Sequence, residues 1–169
     1  MADGSQIPEI RVGAPVLEDF GHIARRMRPD EIAQYLALTG LPEYAPDVAA
    51  RALAATPGSQ FVMVDRAGLP VLIGGFAPVR RGVFEGWLAG TQEGWSQYWR
   101  AMTKVCRGLM EDLLTSGGAH RIETVALADR VAAHAWYERG LRMRRDGVMP
   151  GYFADGQDGV VFSLTRKRT

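Results

Sequence analysis

Asp129-Arg130-Val131-Ala132-Ala133-His134-Ala135-Trp136-Tyr137-Glu138-Arg139-Gly140-Leu141 is the stretch on which the fold turns. Arg130 to Arg139 reads as a short helix, and Gly140 ends it. Ahead of it, Ile122-Glu123-Thr124-Val125-Ala126-Leu127 reads as a strand. Behind it, Leu141 to Gly147 and Gly159 to Leu164 read as two closing strands around the loop Pro150 to Asp158.

Working outward from there, Ser96 to Leu114 carries Trp99, Met102, Val105, Cys106, Leu109, Met110 and Leu113 on one helical stripe, closed by Gly117-Gly118. Gly90 to Gly94 before it reads as a loop. Gln60 to Val64, Pro70 to Phe76 and Val83 to Ala89 are three strands joined by short turns, which predicts an antiparallel meander. Upstream, Glu9 to Val16 alternates as a strand. Helices are expected over Leu17 to Met27, from Asp30 to Gly40, and over Asp47 to Ala55. The long helix between Ala89 and Ile122 suggests a crossover joining parallel neighbours. The expectation is therefore one α/β (α+β) domain over 1–169: a mixed sheet of six to seven strands, a meander and flanking helices.

Composition narrows the function. The chain has 169 residues, net charge +1, 47% apolar and 23% charged side chains, which fits a globular protein with no global field toward nucleic acid or membrane. Cys106 is the one cysteine, so no internal disulfide or thiolate metal cluster can form. No apolar run reaches the roughly 18 residues of a membrane span. Met1 to Gln6 lacks the basic-then-apolar order of a signal peptide, so a cytoplasmic location (or a particle assembled there) is expected.

The quoted stretch resembles the N-x-x-A-x-x-L-Y-x-x-x-G-F segment of the GNAT superfamily of N-acyltransferases, and the element order from Glu9 to Leu164 is similar to that fold. More narrowly, Met27-Arg28-Pro29-Asp30-Glu31, Trp87-Leu88-Ala89-Gly90-Thr91 and His120-Arg121-Ile122-Glu123 resemble the GNAT-like proteins of tailed bacteriophages, of internal virion or morphogenesis type.

The resemblance implies two chemical features, and the chain departs from both. The first is an R/Q-x-x-G-x-G/A loop whose amides wrap the acetyl-CoA pyrophosphate at a helix start. Its counterpart falls on Gln97 to Met102, which lacks glycine, or on Gly90-Thr91-Gln92-Glu93-Gly94-Trp95-Ser96, which has two glycines at the wrong spacing. Arg100 is the candidate to supply charge in place of missing amides. The second is a tyrosine that protonates the leaving thiolate. Trp136 stands at that position and Tyr137 one residue on, about 100° further round the helix. Asp129 replaces the family asparagine and could cap the helix. Carried over residue by residue, the implied site is Tyr137 as the catalytic candidate and Leu88, Gly90, Gly94, Arg100 and Asp129 as cofactor-binding candidates.

Other signals carry bland readings. Asp155-Gly156-Gln157-Asp158-Gly159 lacks a third acidic ligand and the closing glutamate of a calcium loop, and reads as a hairpin turn. His134 could reach the cleft as a base or simply pack. Arg25-Arg26, Arg142 to Arg145 and Arg166 to Arg168 read as solvated ends, with contact to nucleic acid or a partner as the alternative. Trp87, Trp95, Trp99 and Trp136 surround the expected cleft mouth, filling the cofactor's space or forming an interaction surface. The preferred expectation is a GNAT-fold protein without standard acetyl-CoA chemistry, needing no cofactor or metal and binding virion or assembly proteins. The alternative is an acetyl-CoA-dependent N-acyltransferase that uses Tyr137 or a water as its acid. Open amides at the helix start would favour the enzyme, and a tryptophan-plugged groove the binder.

Overall fold

The computed structural model describes residues 9–166. The reading of Met1 to Gln6 and the end of the Arg166 to Arg168 cluster lie outside the described residues. The elements run β1 (Arg11–Gly13), α1 (Leu17–Arg26), α2 (Pro29–Thr39), α3 (Pro46–Ala54), β2 (Ser59–Val64), β3 (Pro70–Arg80), β4 (Val83–Gly90), α4 (Gln92–Thr115), β5 (Arg121–Leu127), α5 (Val131–Ala135), a wide turn Trp136–Gly140, β6 (Arg144–Met149) and β7 (Gly159–Thr165). One seven-stranded sheet results, in the order β1-β2-β3-β4-β5-β7-β6. The meander is as the turns predict, and β4 with β5 is the parallel pair that α4 connects.

Alternation along the strands feeds two cores. On one face Met63 and Leu72 meet Met102, Cys106, Met110 and Leu114, a stripe at i, i+4, i+8 and i+12 of α4. On the other face Val62 and Ile73 meet Phe20, Ile23 and Ala24 of α1 and Ala49 and Ala50 of α3. Burying side chains of this size stabilises by roughly 1.5–3 kcal/mol each, which fixes the strand register. Burial pushes the Cys106 thiol up to about 12, so it is an inert core group.

Three expectations about boundaries need correction. The first strand shrinks to Arg11–Gly13, since Val16 already serves as the cap of α1 and its N–H bonds Asp19 Oδ2 at 2.9 Å. Gly90 to Gly94 is not a loop: β4 continues to Gly90, and α4 starts at Gln92 rather than Ser96. Thr91 caps that helix, its hydroxyl accepting from Gly94 N–H at 2.8 Å. Gly94 is inside the helix, where a Cβ would lie 2.4 Å from the Val71 carbonyl oxygen, so it marks a close helix–strand approach and not a break. Finally, the strand expected over Leu141 to Gly147 runs from Arg144 to Met149, after Arg142 turns the chain with φ +59°.

The decisive geometry is between β4 and β5. They pair only at Val83–Arg121, Phe84–Ile122 and Glu85–Glu123. Beyond that point β4 runs on to Gly90 and β5 to Leu127 without pairing each other, so the sheet opens as a wedge.

Candidate functional site

Strands that separate leave backbone groups without partners, and buried backbone groups are almost always paired. Here α2 supplies the pairing. Gln34 donates from Nε2 to the Val125 carbonyl at 3.2 Å and accepts from Leu127 N–H at 2.8 Å, standing where β4 would have run. One turn earlier, Glu31 accepts from Gly90 N–H at 2.9 Å at the end of β4. The spacing i, i+3 puts both side chains on one face of α2. Met27, just before α2, bridges to Thr91 and ties the same corner.

Glu31 is buried and has further donors. Trp95 Nε1 donates to its Oε1 at 2.8 Å, and Arg28 Nη2 to the same oxygen at 3.2 Å. The Arg28 guanidinium lies over the Trp95 ring, 4.4 Å from its centroid. Burial raises the Glu31 carboxyl above its usual range, while Gly90, Arg28 and Arg130 pull it back in part. Arg130, at the head of α5, is nearly buried and pairs with Asp30 Oδ2 at 2.8 Å.

Across the wedge, Trp95 meets Trp136 edge to face with ring centroids 5.1 Å apart. Trp136 Nε1 donates to Thr103 Oγ1 at 2.8 Å, which fixes the ring against α4. A cleft of about 200 Å³ remains, lined by these tryptophans, Leu88, Tyr137, Glu31 and Arg130. A second hollow of about 360 Å³ lies toward α3 and shares Glu31, Leu88 and Arg130 with the first.

The structure brings some sequence candidates together and separates others. Tyr137 does line the cleft, although helix geometry from Trp136 points it elsewhere. The cause is the wide turn, in which Leu141 N–H reaches back five residues to the Trp136 carbonyl at 2.9 Å. Burial raises the Tyr137 phenol, with Glu31 adding to the rise and Arg130 opposing it along with a Thr124 hydrogen bond. Leu88 lines the cleft too. Gly90 and Gly94 sit at the corner, and their amides are engaged by Glu31 and Thr91. Arg100 is exposed in the middle of α4 and stacks over Trp99 at 4.9 Å, away from any helix start. Asp129 is exposed in the turn before α5 and does not cap it; Arg130 takes the cap position with no side-chain cap bond. His134 is buried, with Nε2 at 2.9 Å from the Leu127 carbonyl oxygen, and it packs on Phe162. Asp158 and Asp155 bind the Gly151 and Gln157 amides, the work of a turn.

Sequence reading gave no role to Glu31, Gln34 or Arg130. Their partners lie 59 to 100 residues away, beyond the reach of any local pattern. The one available signal was Glu31 and Gln34 sharing a helix face.

No protein-family model matches the chain, and no curated protein does. Solved structures do. A GNAT-family acetyltransferase from Bacillus anthracis superposes with TM-score 0.73 at 11% identity, covering 96% of this chain and 98% of that one. The fold is that of the GNAT acetyltransferases. Spermidine N-acetyltransferase from Vibrio cholerae, solved in complex with CoA and spermine, gives 0.71 at 12% identity over 93% of this chain and 95% of that one. The ribosomal-protein-S18-alanine N-acetyltransferase from Escherichia coli gives 0.67 at 15%, over 95% and 96%.

Acetyl-CoA is the group the GNAT fold implies, and the residues at this corner match its needs only in part. Such a ligand needs backbone N–H groups at the start of the helix after β4. Thr91 N–H bonds the Val71 carbonyl and Gly94 N–H the Thr91 hydroxyl, which leaves the Gln92 and Glu93 N–H groups as the amides this helix start can offer. Glu93 places an acid in that first turn, and Glu31 places a second beside Gly90. Among the described residues there is no cluster of three metal-ligating side chains, and no helix is long and apolar enough to cross a membrane.

Proposed function

We propose that this protein is a GNAT-fold binding protein that does not carry out standard acetyl-CoA chemistry. One observation carries the reading: the wedge between β4 and β5 is narrowed by the protein's own groups to a cleft of about 200 Å³, with Trp95 against Trp136 and Glu31 on the Gly90 amide. Each of those contacts satisfies a polar group or buries an aromatic ring, so a ligand larger than the remaining cleft must break them first. Leaving the displaced polar groups unpaired costs roughly 1–3 kcal/mol apiece.

The setting we propose is a virion or its assembly, with protein partners, in the cytoplasm where such particles form. Support comes from two of the stretches that resemble phage GNAT-like proteins. Met27 to Glu31 and Trp87 to Thr91 meet at the closed corner, through Glu31 with Gly90 and Met27 with Thr91.

Isothermal calorimetry with acetyl-CoA and with CoA tests the reading. No heat at millimolar ligand is expected, and micromolar binding overturns it. An acyltransferase reading draws on one observation, the presence of Tyr137 in the cleft. It requires both micromolar binding and a loss of transfer in Tyr137→Phe.

A further inference from the structure

Glu31 is held as a ligand is held. Its two oxygens receive a backbone amide (Gly90 N–H, 2.9 Å), an indole (Trp95 Nε1, 2.8 Å) and a guanidinium (Arg28 Nη2, 3.2 Å), drawn from β4, α4 and the residue that caps α2. Donors from three elements converge on one buried carboxylate, and charge-assisted bonds of this kind are about twice as strong as neutral ones. Two of the donors stand independent of α2, Gly90 fixed by β3 pairing and Trp95 by Trp136, while Arg28 caps α2 and lies over the Trp95 ring. Removing the Glu31 carboxylate therefore leaves three aimed donors, and the 200 Å³ cleft begins at the same residue.

We propose that Gly90 N–H, Trp95 Nε1–H and Arg28 form a carboxylate-binding site whose occupant in the free protein is Glu31, which makes α2 a built-in competitor for any small carboxylate entering the cleft. The ligand class follows from the donors. An amine finds no acceptor here once Glu31 is displaced, and it meets the Arg28 charge. A carboxylate reproduces each bond that Glu31 makes, and its apolar body faces Trp95, Trp136 and Leu88. An intramolecular competitor acts at an effective concentration of millimolar or higher, so the intact protein excludes weak carboxylates.

This inference rests on the closed-wedge reading and fails separately from it. CoA binding by the intact protein ends that reading, whereas the tests below concern Glu31→Ala alone. The probe is sodium acetate, with sodium chloride at equal ionic strength as reference. Two signals are followed, the melting temperature and the Trp95 indole N–H cross-peak in a ¹H–¹⁵N spectrum. In Glu31→Ala, acetate is expected to raise the melting temperature saturably above chloride and to shift the Trp95 cross-peak, while the intact protein responds equally to both salts. Adding Trp95→Phe should weaken acetate binding at least about threefold, the share of one hydrogen bond, read from the Gly90 amide. Equal responses of Glu31→Ala to acetate and chloride, or a Trp95 cross-peak that acetate does not move, overturn the proposal. Should Glu31→Ala fail to fold, Glu31→Gln keeps the shape and removes the charge. The Gly90 or Trp95 cross-peak is then expected to move upfield, and two unmoved cross-peaks refute the site.

Discussion

Glu31 and Gln34, one turn apart on α2, bind the two strands that diverge: Glu31 takes the Gly90 amide of β4, and Gln34 takes the Val125 carbonyl and Leu127 amide of β5. The helix does for the open end of the sheet what strand pairing does for the closed end. The consequence is a wedge braced from within.

Gln34→Leu tests the brace on the β5 side. It leaves a carbonyl and an amide of β5 without their side-chain partner, which costs roughly 1–3 kcal/mol in urea unfolding. The Leu127 amide should also exchange faster with solvent. A loss below about 0.5 kcal/mol, with unchanged exchange, means that water replaces Gln34 freely.

The corner where β4 becomes α4 has its own prediction. Gly94→Ala puts a methyl 2.4 Å from the Val71 carbonyl oxygen, a backbone atom that cannot rotate away. Overpacking of this kind costs about 1–3 kcal/mol. Thr91→Ala removes the cap bond to Gly94 and should cost about 1 kcal/mol. Thermal unfolding of both variants checks the pair, and a neutral Gly94→Ala would show that the start of α4 is not tight.

The misreadings in and around the site have different physical causes. The meander, the parallel crossover and the Gly140 stop were legible because period and turn residues are local properties. Gly94 looked like a loop residue because sequence cannot show that Val71 comes within 2.4 Å of it. Tyr137 looked misdirected because an α-helix was assumed where the chain makes a five-residue return to Trp136. Glu31 and Arg130 had no role in the sequence reading, and only contacts across 59 and 100 residues give them a place in the site.

Stability should depend on pH through two carboxyls of opposite sign. Burial raises Glu31, so the folded chain holds its proton longer than the unfolded one. Its stabilising contribution is full below about 4.5 and is lost as pH rises through the higher folded value. Glu31→Gln should flatten that decline. Asp146 behaves oppositely: although burial pushes it up, hydrogen bonds from Ser163, Arg121 and Arg144 hold it down at about 2. Its contribution is present above 3.8 and disappears as pH falls to about 2. Asp146→Asn should therefore be less stable than the intact protein at neutral pH and equal to it near pH 2. Parallel profiles for the intact chain and Asp146→Asn across that range would contradict this.

Trp136 can be dissected by size. Trp136→Phe loses the bond to Thr103 but keeps a ring near Trp95, and Thr103 retains its own bond to the Trp99 carbonyl at 2.6 Å, so about 1 kcal/mol is expected. Trp136→Ala also opens a cavity and should cost roughly 3 kcal/mol, toward the low end for aromatic deletions because the ring is only partly buried. Equal losses in urea unfolding would mean that the ring does not pack.

The most direct test of the closed wedge is a ¹H–¹⁵N titration of the intact protein with CoA, followed at the indole N–H groups of Trp95 and Trp136. These two donors are held by Glu31 and Thr103 on either side of the wedge. The account predicts that neither cross-peak moves up to millimolar CoA. Saturable shifts of both at micromolar CoA would show that the wedge opens to the ligand, and would contradict it.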